Sequence, residues 1–399
     1  MKTEYVLSGL SYTRLIEAFN RPESDLYVEI CNKAISKMGK FTDQKISCLF
    51  NGYVEPEYGK TGESVLKNFY QRHVDSGGLQ IITRGMDNTP EVRSKVYAAQ
   101  KDYDVAMSFD EIPLVLNSGS SSRTATNDRK FSKDWLEYAK KSGQNLAEQA
   151  KYFEENNSNC NIYMIAHGNS HETYLGWIDE CFNQVPQSLR HRITGVALGS
   201  GALGYGEKEE LYKSIILQEL SNTFDSCHIL GVGSASRLAP YLRQMENGSY
   251  NFKHLSYDST SHSMCHVYGS YVNRKGRLER VREFNHSECL KDIETYFSDV
   301  IEEYDLNMEY KHLFATAKEL KPVLESEELQ KWFASVFILV LTGVLNFCKC
   351  LDNYDTSKFQ ILDHLSLDNF YESETIINQK FKSKKIEKEE VTNLLEGII

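Results

Sequence analysis

Short apolar runs of strand character alternate with helical patterns along the first two thirds of this chain of 399 residues. Strand-like runs stand at residues 5–10, 45–52, 79–83, 104–109, 161–167, 193–199, 227–232 and 253–258. Helical periodicity covers residues 61–73, 90–101, 133–155, 207–220 and 235–245. Alternation at this spacing predicts about eight parallel strands joined by crossover helices.

The pattern becomes mostly helical after about residue 284, at residues 287–304, 308–325, 327–347 and 366–380. The most apolar run, residues 333–347 (FASVFILVLTGVLNF), is shorter than the ~20 residues that span a bilayer. We therefore expect a buried helix and no membrane partner. This organisation predicts a barrel over residues 1–285 and a helical C-terminal region over residues 286–399.

Composition excludes some classes of protein and favours others. The formal net charge of −11 lacks the basic excess that is usual for nucleic-acid binding, so any such contact must come from a local patch. The nine cysteines are scattered and odd in number, which favours a reducing compartment over a disulfide framework. The first residues lack signal-peptide architecture, so we expect a cytoplasmic protein.

Three aspartates stand in short, unusual contexts. Asp75 lies in HVDSGGLQ, Asp110 in VAMSFDEIP and Asp258 in HLSYDSTSH, and each follows or ends a strand-like run. Taken singly, they have ordinary interpretations as a tight turn, a helix N-cap and an Asx-turn. Together they predict one pocket at the carboxyl ends of the strands of a TIM (β/α)8 barrel.

A glycine-rich stretch at residues 195–207 (GVALGSGALGYGE) contains Gly199, Gly201 and Gly204 at dinucleotide-fingerprint spacing. The stretch lies in mid-chain, and no acid ends the next strand, whereas a Rossmann fold usually places the fingerprint on its first strand. We therefore favour a strand end where a flat ring lies against backbone amides over dinucleotide binding.

The set of motifs resembles the tRNA-guanine transglycosylases, the queuine and archaeosine enzymes, which are TIM barrels. The resemblance covers roughly residues 45–285. The motifs that carry it, in family order, are DSGGLQ at 75–80, FDEIP at 109–113, GSGA at 199–202, LGVGSA at 230–235 and YDS at 257–259.

The resemblance implies a pentosyltransferase that exchanges bases through a covalent intermediate. Asp258 would be the nucleophile that attacks C1′ and expels guanine, and Asp75 would be the general acid and base. Asp110 would accept hydrogen bonds from the N1–H and 2-amino edge of the base. The remaining base-binding residues would be Ser76, Leu79, His167, Gly199, Ser200, Gly201 and Leu230.

Two departures from the family pattern bear on the substrate. The family zinc site is degenerate here, with His286, Cys289, Cys348 and Cys350 as the remaining candidate ligands, so a structural zinc is doubtful and no cofactor is needed for the chemistry. Residues 259–266 (STSHSMCH) lack the arginine with which the tRNA enzymes read the anticodon. Both departures favour the branch of the family that inserts 7-deazaguanines of the preQ0 type into DNA.

The expected partners are therefore DNA and a free 7-deazaguanine, with a homodimer left open by the resemblance. Basic residues after the nucleophile are candidates for phosphate contact, namely Arg274, Lys275, Arg277 and Arg280. An ordinary solvated charged face explains them equally well. Two other functions stay open: exchange in tRNA, and a non-catalytic barrel subunit that binds a nucleobase or polynucleotide.

Overall fold

The computed structural model describes residues 2–10, 15, 18, 24–53, 67–78, 87–116, 129–199, 207–321, 326–366 and 369. Eight parallel strands close into a barrel, namely β1 (Lys2–Leu7), β2 (Lys45–Asn51), β3 (Arg72–Asp75), β4 (Val105–Met107), β7 (Asn161–Ala166), β8 (Ile193–Leu198), β9 (Ser226–Ile229) and β10 (His254–Asp258). Around the barrel they follow the order β1-β10-β9-β8-β7-β4-β3-β2. The predicted α/β barrel is confirmed.

Two small antiparallel hairpins stand outside the barrel. Strands β5 (Leu114–Leu116) and β6 (Arg129–Phe131) pair with each other, as do β11 (Ser270–Val272) and β12 (Leu278–Arg280). The sequence predicted neither hairpin, because strands of three residues carry too little periodicity to be recognised.

Helices separate most of the barrel strands. Those of the barrel region are Asp25–Met38, Pro90–Gln100, Trp135–Glu155, His171–Gln184, Glu207–Leu220, Ala235–Glu246 and Thr260–Met264. Capping residues explain where two of these helices begin. Thr89 caps Pro90–Gln100 by accepting a hydrogen bond from the Val92 amide, with proline at the first helical position. Ser170 and Thr173 form a capping box at the start of His171–Gln184.

The prediction around the third strand was wrong. Residues 67–71 are turns and loop and residues 72–75 form β3, where the sequence indicated the end of a helix over 61–73. Residues 61–66 and the strand predicted at 79–83 lie outside the described residues. The buried interior of β3 consists of His73 and Val74 alone. This apolar run is too short to be distinguished from the helical pattern that precedes it.

The C-terminal region is helical, as predicted. Its helices are His286–Tyr304, Tyr310–Leu313, Ala317–Leu320 and Ser326–Asp352, followed by a 3₁₀ segment at Ser357–His364. The helix predicted at 366–380 falls almost wholly outside the described residues. Asp352 accepts hydrogen bonds from Thr42 and Gln44, which lie just before β2, so the last long helix is fastened to the barrel.

Helix Ser326–Asp352 is, among the described residues, the one helix long and apolar enough to cross a membrane, and it is longer than the sequence predicted. The fold gives it another place, since 89% of its most apolar window is buried inside the protein. Phe337, Leu341 and Leu345 are fully buried there, and each such side chain stabilises the fold by about 1.5–3 kcal/mol. The prediction of a buried helix is confirmed.

The lumen of the barrel is partly polar, which the sequence did not predict. Glu4 of β1, His73 of β3 and His228 of β9 are each at most 1% exposed. The rings of His73 and His228 lie 5.7 Å apart although their strands are not neighbours, so they meet through the lumen. A separate apolar cluster closes the rest of the interior, and it consists of Val105, Met107, Tyr163, Ile165 and Ala197, with Leu230 packed against it.

Candidate active site

The predicted site residues that the structure describes lie at the carboxyl ends of the strands. Asp75 ends β3, Asp110 follows β4, His167 follows β7 and Asp258 ends β10. Because parallel strands of a closed barrel point the same way, these ends ring one mouth, which is where barrel enzymes place their active sites. The prediction that distant segments assemble one pocket agrees with this arrangement.

Asp258 accepts hydrogen bonds from two donors and lies beside a buried histidine. Its Oδ1 accepts the Gly231 amide at 2.7 Å, and its Oδ2 accepts the Ser8 hydroxyl at 2.7 Å. The Nε2 atom of His228 lies 3.3 Å from Oδ1. Burial alone would raise the pKa of Asp258, but the His228 contact and these hydrogen bonds outweigh it, so the pKa lies below its ordinary value. Asp258 is thus an ionised carboxylate at neutral pH.

Asp75 has the opposite electrostatic environment. Burial, followed by the charge of Asp110 and more weakly that of Asp258, raises the pKa of Asp75 to about 7. The backbone amides of Ser76 and Gly77 donate to its carboxylate and oppose this rise without cancelling it. A carboxyl group with this pKa can both donate and accept a proton near neutral pH.

The two glycines of the DSGG motif are required for different structural reasons. Gly77 has φ of +85°, in the left-handed region that a side chain disfavours. At Gly78, a Cβ atom would lie 2.5 Å from Oδ1 of Asp110, so only glycine lets the turn approach that carboxylate. The motif therefore brings the turn after Asp75 against Asp110.

Asp110 is 4% exposed and is oriented by two neighbours. Ser76 donates its hydroxyl to Oδ1 at 3.2 Å, and His167 Nε2 lies 2.7 Å from Oδ2. The edge of the His167 ring meets Trp177 at a centroid distance of 5.0 Å. A carboxylate offers about four lone-pair sites, so Asp110 retains acceptor capacity for a paired-donor edge of a ligand.

Gly199 has a different role from the one predicted. Its amide donates to the Ala166 carbonyl at 2.9 Å and its carbonyl accepts the Tyr174 hydroxyl at 3.2 Å, so its N–H belongs to the sheet rather than to a base. A Cβ atom there would lie 2.4 Å from Nδ1 of His167, so Gly199 makes room for that ring. Ser200, Gly201 and Leu79 lie outside the described residues, and Leu230 is half-buried at the mouth beside the lumen cluster.

The four candidate zinc ligands do not fit a zinc site. Cys289 and Cys348 are fully buried core residues, and Cys350 Sγ donates to the Lys275 carbonyl at 3.3 Å. His286 packs its ring on Tyr310. Within the described part of the chain, no three His, Cys, Asp or Glu side chains converge as metal ligands. The cysteines act as small apolar side chains.

The predicted phosphate contacts divide into one structural arginine and three exposed cations. Arg274 forms an ion pair with Asp292 and donates to Thr295 at 2.9 Å, so it fastens the β11–β12 hairpin to helix His286–Tyr304. Lys275, Arg277 and Arg280 are exposed on the same hairpin and form no ion pair with the described residues. These three, rather than Arg274, remain candidates for polyanion contact.

Ser8, His228 and the lumen pair of Glu4 and His73 were missed by the sequence reasoning. The signal that could have revealed them is a polar residue at a core-facing position of a barrel strand, as in TEYV and SCHI. Barrel interiors are usually filled by branched apolar side chains, so a charged residue in that position is unusual.

Neither a scan against protein-family models nor a search of curated proteins finds a match to this chain. The fold and the site define it as a TIM-like barrel protein with a carboxylate cluster at the carboxyl-terminal mouth of the barrel.

Proposed function

We propose that this protein is a guanine transglycosylase that replaces guanine in DNA with a free 7-deazaguanine of the preQ0 type. The observation that carries the proposal is the opposite perturbation of two carboxyl groups at one barrel mouth. The pKa of Asp258 is lowered, as a nucleophile needs, and that of Asp75 is raised to about 7, as a general acid and base needs. Pairs of titratable groups whose pKa values are shifted in opposite directions are typical of enzymes in which one group is the nucleophile and the other the acid and base.

The first half of the reaction releases guanine. Oδ2 of Asp258 forms a bond to C1′ while the C1′–N9 bond breaks. The electron pair of the C1′–N9 bond leaves with the base. Protonated Asp75 supplies the proton that guanine takes up. The product is a glycosyl ester on Asp258, in the manner of a retaining glycosidase.

The second half inserts the new base. Ionised Asp75 takes the N9 proton of the incoming 7-deazaguanine, whose nitrogen then attacks C1′ and breaks the ester. The ester electrons return to the Asp258 carboxylate, to which the Gly231 amide and the Ser8 hydroxyl donate hydrogen bonds. Asp110, oriented by His167 and Ser76, recognises the N1–H and 2-amino edge in both bases.

DNA is favoured over tRNA by two observations. The stretch after the nucleophile folds as the short helix Thr260–Met264 and carries no arginine, and the residues of the degenerate zinc region do not fit a metal. Lys275, Arg277 and Arg280 would contact phosphates and give salt-dependent binding. A target base in a duplex would have to be flipped out of the stack to reach a site at the barrel mouth.

The test is an exchange assay with labelled preQ0 in which duplex DNA and bulk tRNA are offered in parallel. Nuclease digestion and mass analysis of the nucleosides then identify the product. We expect 7-deaza-deoxyguanosine from DNA alone, and none with Asp258→Asn. A modified nucleoside from tRNA alone would establish the tRNA activity, and no exchange in either substrate would favour a binding subunit.

A further inference from the structure

Two pairs of carboxyl and imidazole side chains lie in the lumen, and one of them includes the proposed nucleophile. Glu4 Oε1 and His73 Nε2 are 2.8 Å apart, and His228 Nε2 and Asp258 Oδ1 are 3.3 Å apart. All four side chains are nine-tenths buried or more. Two carboxylates and two imidazoles therefore occupy a region that barrels normally fill with apolar side chains.

His228 is held between Ser256 and Asp258. Ser256 Oγ lies 2.8 Å from His228 Nδ1 and 3.2 Å from the Cys227 carbonyl oxygen. Nε2 faces the carboxylate of Asp258, and no described residue makes a linear hydrogen bond to it.

Two buried lone pairs facing each other at this distance would repel. A proton on Nε2 removes the repulsion and makes Nε2–H a donor to the carboxylate. The register of the strands fixes the pairing, because His228 of β9 lies opposite Ser256 of β10 and Asp258 is two residues further along the same face.

We propose that His228 is a positioning residue for the nucleophile: its protonated Nε2 holds Oδ1 of Asp258 as a carboxylate oxygen and leaves Oδ2 to bond with C1′. This inference rests on the proposed function for its catalytic part. Oδ1 receives the Gly231 amide as well as His228, whereas Oδ2 receives one hydroxyl, from Ser8. The oxygen with fewer donors keeps the lone pair that forms the glycosyl ester.

The Glu4–His73 pair supports the same arrangement. The pKa of Glu4 is lowered because the charge and hydrogen bond of His73, and more weakly the charge of His228, outweigh its burial. Glu4 is therefore an anion inside the barrel, and its carboxylate holds the imidazole ring of His73. Asp258 interacts with four titratable groups on the surrounding elements, namely Tyr5 on β1, Asp75 on β3, His228 on β9 and His262 on the short helix after β10. Glu4 and His73 face His228 instead.

The first test needs no activity. In protein labelled with ¹⁵N-histidine, the ring signals of His228 are assigned by their loss in His228→Gln. We expect Nε2 of wild-type His228 to carry a proton at pH 7, and Asp258→Asn to shift the Nε2 signal. A neutral wild-type ring with a bare Nε2, unchanged in Asp258→Asn, would overturn the proposal.

The second test measures the pH profile of guanine release in a single turnover. His228→Gln keeps a neutral donor and should move the acid limb up by at least one pH unit, and His228→Leu should move it further and slow release at least about tenfold. His191→Gln, at an exposed histidine, is the matched control and should match the wild type.

If His228→Gln releases guanine more slowly but the acid limb of its pH profile is unchanged, His228 has a structural role only and the positioning role is refuted. If wild-type protein exchanges no base at all, the proposed function fails while the labelled-histidine experiment still decides whether Nε2 of His228 carries a proton.

Discussion

Replacing Asp75 with asparagine is expected to stabilise the folded protein above neutral pH while it removes the proposed acid–base group. The folded-state pKa of about 7 lies above the ordinary value of 3.8. The contribution of this carboxyl group to stability is therefore fully present below the unfolded-state pKa and is lost as the pH rises through about 7. Asparagine carries no charge to bury, and its amide oxygen can still accept from the Ser76 and Gly77 amides.

The size of the effect follows from the shift. The folded-state and unfolded-state pKa values of Asp75 differ by about 3 units, which corresponds to about 4 kcal/mol at about 1.4 kcal/mol for each unit. Asp75 is only partly buried at the barrel mouth, so solvent screening reduces this to about 2 kcal/mol. For a chain of 399 residues with an unfolding entropy near 0.8 kcal/mol per degree, the melting temperature should rise by about 2–3 °C.

The assay is thermal and urea unfolding of wild type and Asp75→Asn at pH 4.5 and pH 8. The free energy of unfolding should favour the variant by about 2 kcal/mol more at pH 8 than at pH 4.5. Asp43→Asn, at an exposed aspartate, is the control and should follow the wild type at both values. A variant advantage that is the same at both pH values would refute the raised pKa and, with it, the acid–base assignment.

Three further outcomes are expected. Asp258→Asn should abolish exchange and the trapped ester while polynucleotide binding persists, as measured by adduct mass and gel shift; an undiminished adduct would refute the nucleophile. Gly78→Ala should weaken base binding at least about tenfold in calorimetry, because its Cβ would displace Asp110, while Gly39→Ala, with nothing within 4 Å, should leave binding unchanged. Glu210→Leu should cost about 3–5 kcal/mol in urea unfolding, because it removes a fully buried carboxylate that pairs with Arg237 and Lys213 and accepts the Tyr241 hydroxyl, and a loss below 1 kcal/mol would contradict this.

Asparagine at Asp258 also tests which interactions stabilise the lumen. The Gly231 amide can still donate to the amide oxygen of the variant, but the carboxylate contact with His228 is lost. The stability of Asp258→Asn relative to wild type therefore reports the lost contact with His228 minus the relieved cost of burying a charge.

The sequence determined the architecture because its signals are local and repeated. Strand runs alternating with amphipathic helices require parallel strands with crossovers, and eight of them close into a barrel. It also indicated the three aspartates from their short motifs, although the strand that ends at Asp75 was interpreted as the end of a helix. The run at residues 333–347 was identified as a buried helix from its composition alone.

Only the tertiary structure decided how the site works, because charge environments come from residues that are far apart in the chain. Ser8 reaches Asp258 across 250 positions, and His228 reaches it from the neighbouring strand. Gly199 makes room for the His167 ring, and Arg274 pairs with Asp292 of a C-terminal helix. In the sequence, each of these residues suggested a ligand contact instead. A pKa depends on burial and on neighbours in space, so identical aspartates became a nucleophile candidate and an acid–base candidate only once the barrel closed around them.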